Sequence, residues 1–322
     1  MVYQRGAKGP EVAKIQTRLK ELDYYRGPID GDFGGGTESA VKAFQRAQRL
    51  TVDGIVGPKT WDRLFPQEGI PAPAILQKPL AYRCLALTGA FETGAPIPEC
   101  FAGLSGDFDG QGMSFGALQW NLGQGTLQPL LQGMDRSHPH ILKQIFHEHH
   151  PVLRTMLKAA REEQLAWVRS IQDPRRFVLY EPWRGLFKTL GRREEFQDIQ
   201  VEAADRLYRS ALALCKPYDL RSDRAVALMF DIKVQNGTIS ELVKAQIEQD
   251  FKRLELSGHW EKDEVARLRI IANRRADAAN PRWVEDVRAR KLTIANGGGT
   301  VHGNAFDLAE QYGILLKAAR TG

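Results

Sequence analysis

Four prolines fall within the fourteen residues from Pro66 to Pro79, PQEGIPAPAILQKP, and no regular helix or strand runs through such a stretch. Each proline fixes φ and removes a backbone donor, so the segment acts as a semi-rigid spacer. It divides the chain of 322 residues into a small module, 1–66, a linker, 67–78, and a large module, 79–322. A chain this long exceeds one ordinary domain in any case. With 43% hydrophobic and 26% charged residues it carries enough apolar mass for globular cores. No apolar run approaches the roughly 18 residues of a membrane span, and the start, MVYQRGAKGP, has no apolar h-region, so no cleavable Sec signal is expected. Cys84, Cys100 and Cys215 are odd in number and form no CxxC pair, which excludes a disulfide scaffold and a cysteine-built zinc finger. The net charge of +6 suits nucleic acid, lipid headgroups or an anionic wall polymer alike and selects none.

The small module repeats itself. Ile29-Asp30-Gly31-Asp32-Phe33-Gly34-Gly35-Gly36-Thr37 and Val52-Asp53-Gly54-Ile55-Val56-Gly57-Pro58-Lys59-Thr60 both read apolar-Asp-Gly-x-x-Gly-x-x-Thr. Asp-Gly forms turns, and each Thr is expected to N-cap the helix that follows. Val12, Ile15, Leu19 and Leu22 before the first copy, and Val41 and Phe44 after it, recur at helical spacing. Residues 5–65, including Tyr24-Tyr25-Arg26-Gly27-Pro28-Ile29-Asp30-Gly31, Phe44-Gln45 and Asp53 to Trp61, resemble the three-helix peptidoglycan-binding domain. That resemblance implies non-catalytic attachment to cell-wall glycopeptide, with Tyr24, Tyr25, Phe33 and Gln45 as groove residues.

The large module reads as mostly helical, with stretches around 152–170, 198–215, 222–235, 240–257 and 261–279, interrupted by a glycine-rich, strand-prone insert at 103–125. The fold class expected is mainly α: a three-helix module beside an α+β domain with a small hairpin or sheet insert. Leu80, Cys84, Leu87 and Phe91 form a helical stripe, and Gly94 ends that helix just after Glu92. A carboxyl at the negative end of a helix, half against apolar side chains, is suited to act as a general acid; an ordinary exposed helix-end glutamate is the plainer reading. From Gly103 to Asn121 the chain offers Asp107, Asp109, Ser114, Gln119 and Trp120 among five glycines, a mixture suited to a sugar-binding cleft. Asp107-x-Asp109-x-Gln111-Gly112 also opens like a calcium loop, but Leu118 stands where the twelfth-position glutamate belongs.

Glu92-Thr93-Gly94 followed by Gly106-Asp107-Phe108-Asp109-Gly110-Gln111-Gly112-Met113-Ser114-Phe115-Gly116 resembles the active-site face of lysozyme-superfamily glycosidases of the chitosanase-like branch. Cys100 to Gly106 and Gly116 to Asn121 are closer to the muramidase domains of type VI secretion spike proteins. That likeness extends to Phe230-Asp231-Ile232-Lys233-Val234-Gln235-Asn236-Gly237 and to Ile294 to Gly303. Ser114 stands where the family has threonine, and the separation of the carboxylates along the chain differs slightly. The resemblance implies Glu92 as general acid and Asp109 as general base on the opposite sugar face, with Ser114 helping to hold the water. Asp107, two residues away, is the alternative base. Gln119, Trp120, Asp231, Gln235 and Asn236 would bind substrate. An inverting pair implies carboxyl groups about 6.5–9.5 Å apart.

His138, His140, His147, His149 and His150 invite a zinc amidase reading, but His147 and His150 are three apart where the helical motif needs four, and Pro151 follows. No metal and no cofactor is expected. Arg274, Arg275, Arg282, Arg288, Arg290 and Lys291 read as a solvated helix face, which could also approach an anionic outer-membrane surface. No nucleic-acid-binding motif is present. The expectation is a monomeric peptidoglycan hydrolase, an endolysin made in the bacterial cytoplasm and acting on the periplasmic wall after holin-type release. A secretion-system effector is the alternative setting. Lytic transglycosylase, chitosanase, zinc amidase and a wall-binding protein without activity are the rival functions.

Overall fold

The computed structural model describes residues 3–7, 9–66, 68–69 and 74–319, apart from the side chains of Pro58, Asn236 and Glu310. The chain falls into two compact units, one of residues 1–78 with 307–313 and one of residues 79–306 with 314–322. Of the expected linker, residues 67 and 70–73 lie outside the description, and Ala74–Gln77 makes a 3-10 turn.

In the first unit, helices α1 (Pro10–Glu21), α2 (Gly35–Ala47) and α3 (Pro58–Leu64) enclose Val12, Ile15, Leu19, Phe33, Phe44 and Trp61. The sequence echo has one physical cause, a buried glutamine inside each Asp-Gly turn. Gln16 Nε2 donates to Asp30 Oδ1 at 2.8 Å, to the Asp32 carbonyl at 2.9 Å and to Thr37 Oγ1 at 3.2 Å, and its Oε1 accepts from Gly31 N at 2.9 Å. Gln45 repeats the pattern on Asp53 Oδ1 (2.8 Å), the Ile55 carbonyl (2.8 Å), Thr60 Oγ1 (3.1 Å) and Gly54 N (2.9 Å). Gly31 and Gly54 lie at φ +69° and +79°, which glycine adopts without a side-chain clash. Thr37 and Thr60 are therefore not N-caps. Gly34 and Gly57 take those positions, and each threonine sits inside its helix with its hydroxyl on the glutamine.

Gln45→Ala would leave the buried Gly54 N–H and Thr60 hydroxyl unpaired, so it should cost about 2 kcal/mol or more. Gln48→Ala, at the exposed C-cap just after the same helix, should change stability by less than about 0.5 kcal/mol. Chemical denaturation of the two variants compares them directly, and equal effects would remove the glutamine from its structural role.

The second unit begins with α4 (Leu80–Thr93), buried on all sides from Tyr82 to Phe91. A three-stranded antiparallel sheet follows, β1 (Leu104–Ser105), β2 (Ser114–Phe115) and β3 (Trp120–Asn121), in the order β1-β2-β3 with Ser105 opposite Ser114 and Ser114 opposite Asn121. Helices α5 (Gln128–Ser137), α6 (Pro139–Phe146), α7 (His150–Met156), α8 (Arg161–Ser170), α9 (Trp183–Gly191) and α10 (Glu194–Cys215) come next. They lead to α11 (Asp223–Asn236), α12 (Glu241–Arg253), α13 (Trp260–Asp277), α14 (Val284–Asn296) and the hairpin β4 (Gly298–Val301) and β5 (Asn304–Asp307). The short α15 (Leu308–Tyr312) belongs to the first unit. The fold is mainly helical with small antiparallel sheets, as the sequence implies.

The expected helix over 152–170 is two helices. The break has partners for its carbonyls: Gln164 Nε2 donates to the Met156 carbonyl at 2.8 Å and Gln132 Nε2 to that of Leu157 at 3.0 Å. The sheet is anchored by Phe115, which stacks on Phe196 with ring centroids 5.4 Å apart and meets Phe187 edge-on at 5.4 Å. Burying such a ring stabilises by roughly 2–3 kcal/mol. A Cβ on Gly89 would come within 2.8 Å of Ala117 Cβ, and one on Gly103 would strike Thr93. These two glycines let the sheet close directly onto the last turns of α4.

Candidate active site

Glu92 is where α4 leaves the core. Phe91 is buried, Gly94 ends the helix at φ +67°, and the Glu92 side chain keeps 32% of its surface exposed. Its Oε1 lies 2.8 Å from Arg290 Nη2, so its nearest charged neighbour is a guanidinium. Arg290, itself buried, is held from below by Asp231: Nε donates to Oδ1 at 2.9 Å and Oδ2 at 3.1 Å, and Nη2 to Oδ1 at 2.6 Å. Lys291 Nζ pairs with Asp231 Oδ2 and donates to Gln235 Oε1 at 2.6 Å, while Thr88 Oγ1 lies 3.3 Å from Asp231 Oδ1. Helical spacing builds this cluster, with Thr88 and Glu92 one turn apart on α4 and Asp231 and Gln235 one turn apart on α11.

Burial alone would raise the Asp231 carboxyl, but Arg290 and Lys291 hold it down at about 2. Burial brings Lys291 down to about 8 even with Asp231 against it. Arg290 loses from burial and gains more from Asp231 and Glu92, so it stays charged. Asp231 has no exposed surface and Lys291 has none. The expected substrate contact by Asp231 is therefore corrected: it positions Arg290 from beneath. Gln235 is bound to Lys291, and the side chain of Asn236 lies outside the description. The reading of the basic stretch as a solvated face fails at Arg275, Arg290 and Lys291, all buried. The signal for this was present: Val287, Arg290, Lys291 and Ile294 fall at i, i+3, i+4 and i+7, which puts two cations on the inward stripe.

The β1–β2 connection separates the two aspartates that a strand would have placed on one side. It is a series of bends, and Asp107 faces inward. Its Oδ2 accepts from Arg169 Nε at 2.7 Å and its Oδ1 from Gly112 N at 2.8 Å, with 2% of the side chain exposed. Asp109 is exposed, and its Oδ1 accepts only a local bond from Gln111 N at 3.0 Å. Phe108 between them is 64% exposed, an apolar surface that the sequence reading passed over. Ser114 Oγ accepts from Asn121 Nδ2 at 3.0 Å, which leaves its hydroxyl proton available. Gln119, at φ +52°, accepts from Ser105 Oγ at 3.1 Å and donates to the Gly116 carbonyl at 3.0 Å. These bonds brace the turn into β3. Trp120 is half-buried and packs on the core around Phe115.

In the first unit an open groove of about 750 Å³ is lined by Tyr24, Tyr25, Arg26, Asp30, Asp32 and Ser39, among others. Tyr25 is 7% exposed, and its hydroxyl donates to the Pro28 carbonyl at 2.9 Å; Tyr24 meets Phe44 edge-on at 5.5 Å. Phe33 is core and Gln45 is the buried turn hub, so neither faces the groove as expected. His150 is buried with its Nε2 3.4 Å from Asp135 Oδ1, and the His149 ring lies tilted against Trp183 with centroids 5.1 Å apart. All three cysteines are buried, and burial pushes the Cys100 and Cys215 thiols up to about 12. Among the described residues, no helix is long and apolar enough to cross a membrane.

Residues 8–64 match the family model described as putative peptidoglycan binding domain. The chain is 49% identical over 59 residues to the spore cortex-lytic enzyme of Bacillus cereus, covering 18% of this chain and 23% of that one. It is 42% identical over 67 residues to the N-acetylmuramoyl-L-alanine amidase CwlM of Mycobacterium tuberculosis, 20% of this chain and 16% of that one. The chain thus spans less than a quarter of the length of these curated relatives. Among solved structures, a native chitosanase from Bacillus subtilis MY002 aligns over 74% of this chain and 98% of its own, at 18% identity and a TM-score of 0.40.

Proposed function

We propose that the protein is a peptidoglycan hydrolase in which the first unit attaches to the wall and the second cleaves the glycan. The bond is the β-1,4 linkage from N-acetylmuramic acid to N-acetylglucosamine. The observation that carries this reading is the Glu92–Arg290–Asp231 relay at the open end of α4. Glu92 gives its proton to the glycosidic oxygen, and the carboxylate left behind is received by Arg290 Nη2. Because Asp231 grips Arg290 through two nitrogens, the guanidinium is already in place and need not reorganise. Asp109 takes a proton from the attacking water on the other face of the sugar, and the Ser114 hydroxyl orients that water. In this reading the base is Asp109 and not Asp107, both of whose oxygens are engaged. Attachment by the first unit raises the local concentration of glycan without new catalytic contacts. The family match of residues 8–64 supports that attachment, and release of the enzyme as an endolysin is the setting that this two-part layout favours.

Mass spectrometry of fragments freed from purified sacculi tests the reading. Reducing N-acetylmuramic ends are expected. Anhydro ends would make the protein a transglycosylase, and intact strands with freed peptides would overturn glycan cleavage altogether. The two aspartates should separate cleanly. Asp109→Asn should lower kcat by about 10²–10⁴-fold with the melting temperature unchanged. Asp107→Asn should lower the melting temperature, through the lost Arg169 pair, and reduce activity only as far as folding is lost.

A further inference from the structure

Phe108 stands in solvent on a loop whose backbone is fixed on both sides of it. Before the ring, Gly106 N donates to the Phe177 carbonyl at 3.1 Å and Asp107 N to Gln172 Oε1 at 2.8 Å. After it, Gly123 N donates to the Gln111 carbonyl at 2.7 Å, and Arg161 Nη2 to Gln111 Oε1 at 3.0 Å. The contacts are close because Gly106 and Gly123 carry no side chain: a Cβ on either would fall 2.3 Å from the carbonyl oxygen of Phe177 or Gln111. With Asp107 drawn inward by Arg169, the loop turns Phe108 outward, 64% exposed. The segment bonded to it has the same character. Leu179 bridges to Gln172 and is buried, while Val178 and Tyr180 on either side of it are exposed. Two hydrogen-bonded segments thus present three apolar side chains to solvent, and one of these adjoins Asp109. Apolar surface held in water gains free energy when a ligand covers it.

We propose that Phe108 is a substrate-binding residue whose ring stacks on the C–H face of a pyranose in the bound glycan. The inference rests on the reading of Asp109 as the base and adds the residue that sets a sugar beside it. A pyranose chair is apolar on its faces and polar around its rim. A flat aromatic ring covers such a face and leaves the rim to polar neighbours, of which Asp109 is the next residue along. That carboxylate also selects against a lipid surface as the occupant. Phe108 could enter acyl chains only by taking Asp109 with it, and moving a carboxylate out of water is costly.

Calorimetric titration of the full chain tests this, with Glu92→Gln present so that the glycan is not consumed. The ligand is a peptide-free hexasaccharide of alternating N-acetylglucosamine and N-acetylmuramic acid. The first unit is the same in every variant, so a difference between them belongs to residue 108. Adding Phe108→Ala should weaken binding about tenfold. Phe108→Tyr, which keeps a flat ring, should bind as the parent does. Phe108→Leu keeps apolar bulk without a flat face and should lose nearly as much as alanine. With Glu92 restored, Phe108→Ala should raise KM by a similar factor and change kcat little. The melting temperature should stay within about 2 °C of the wild type, as for a surface substitution. A larger fall gives the ring a structural role and overturns the proposal. So does equal binding by all variants, binding by none, or leucine serving as well as phenylalanine. Lost binding to phosphatidylethanolamine–phosphatidylglycerol vesicles with glycan binding intact would assign the ring to lipid and overturn it too. The two readings fail separately. Phe108-dependent binding without cleavage by the wild type would sink the hydrolase and leave this proposal standing, whereas cleavage with an unaltered KM in Phe108→Ala would do the reverse.

Discussion

Glu92→Gln should reduce glycan cleavage by about 10²–10⁴-fold, the range expected when a positioned general acid is removed. The fold should hardly notice. The side chain is one-third exposed, and Arg290 keeps its bonds to Asp231 when the Glu92 carboxylate is lost. Partly exposed ion pairs of this kind contribute about 1 kcal/mol or less, so the melting temperature should move by only a few degrees. Reducing ends released from sacculi give the rate, and thermal melting gives the control. The chemistry can be isolated further with an aryl glycoside whose leaving group departs without a proton. On that substrate the loss should shrink by orders of magnitude, because only the acid step is missing. An equal loss on both substrates would mean that Glu92 binds or orients the sugar rather than protonating it.

What the amino-acid order conveyed, and what it concealed, follows from the range of each interaction. Local chemistry was readable. The proline-dense segment, the paired Asp-Gly turns and the helix ending at Gly94 are all set by residues within a turn or two of one another. Mutual positions across the chain were not. Nothing near Asp231 announces that Arg290, on a helix much later in the sequence, will bind it through two nitrogens. Nor does the local pattern show that Arg169 will draw Asp107 inward and leave Asp109 outside. Gln45 is a groove residue only by the family resemblance, whereas here it replaces backbone partners inside a turn. Charges on an otherwise apolar helical stripe were the readable signal for the buried cluster. Their density on α13 and α14 made them look like solvated surface instead.

Asp231→Asn should have the largest effect on stability. It leaves Arg290 and Lys291, 3% and 0% exposed, without their shared counter-charge, and breaking a buried ion pair in this way costs about 3–5 kcal/mol. For a unit of this size that corresponds to a fall in melting temperature of roughly 6–20 °C. Acid provides an independent check. The carboxyl titrates at about 2 in the folded protein against 3.8 in the reference state. The folded state therefore binds this proton less readily than the unfolded state. The stabilisation, about 2 kcal/mol by linkage, is fully present above pH 4 and lost as pH falls toward 2. The wild type should lose stability steeply across that window, and Asp231→Asn should lack this component. Adding Lys291→Met to Asp231→Asn removes one stranded cation and should recover part of the lost stability, whereas a purely packing role for Asp231 predicts no recovery. Activity should fall further than unfolding explains, even at temperatures where the variant is fully folded. Arg290 would then have Glu92 as its only carboxylate partner, and a guanidinium free to follow that carboxylate is no longer held in place for the moment the proton leaves.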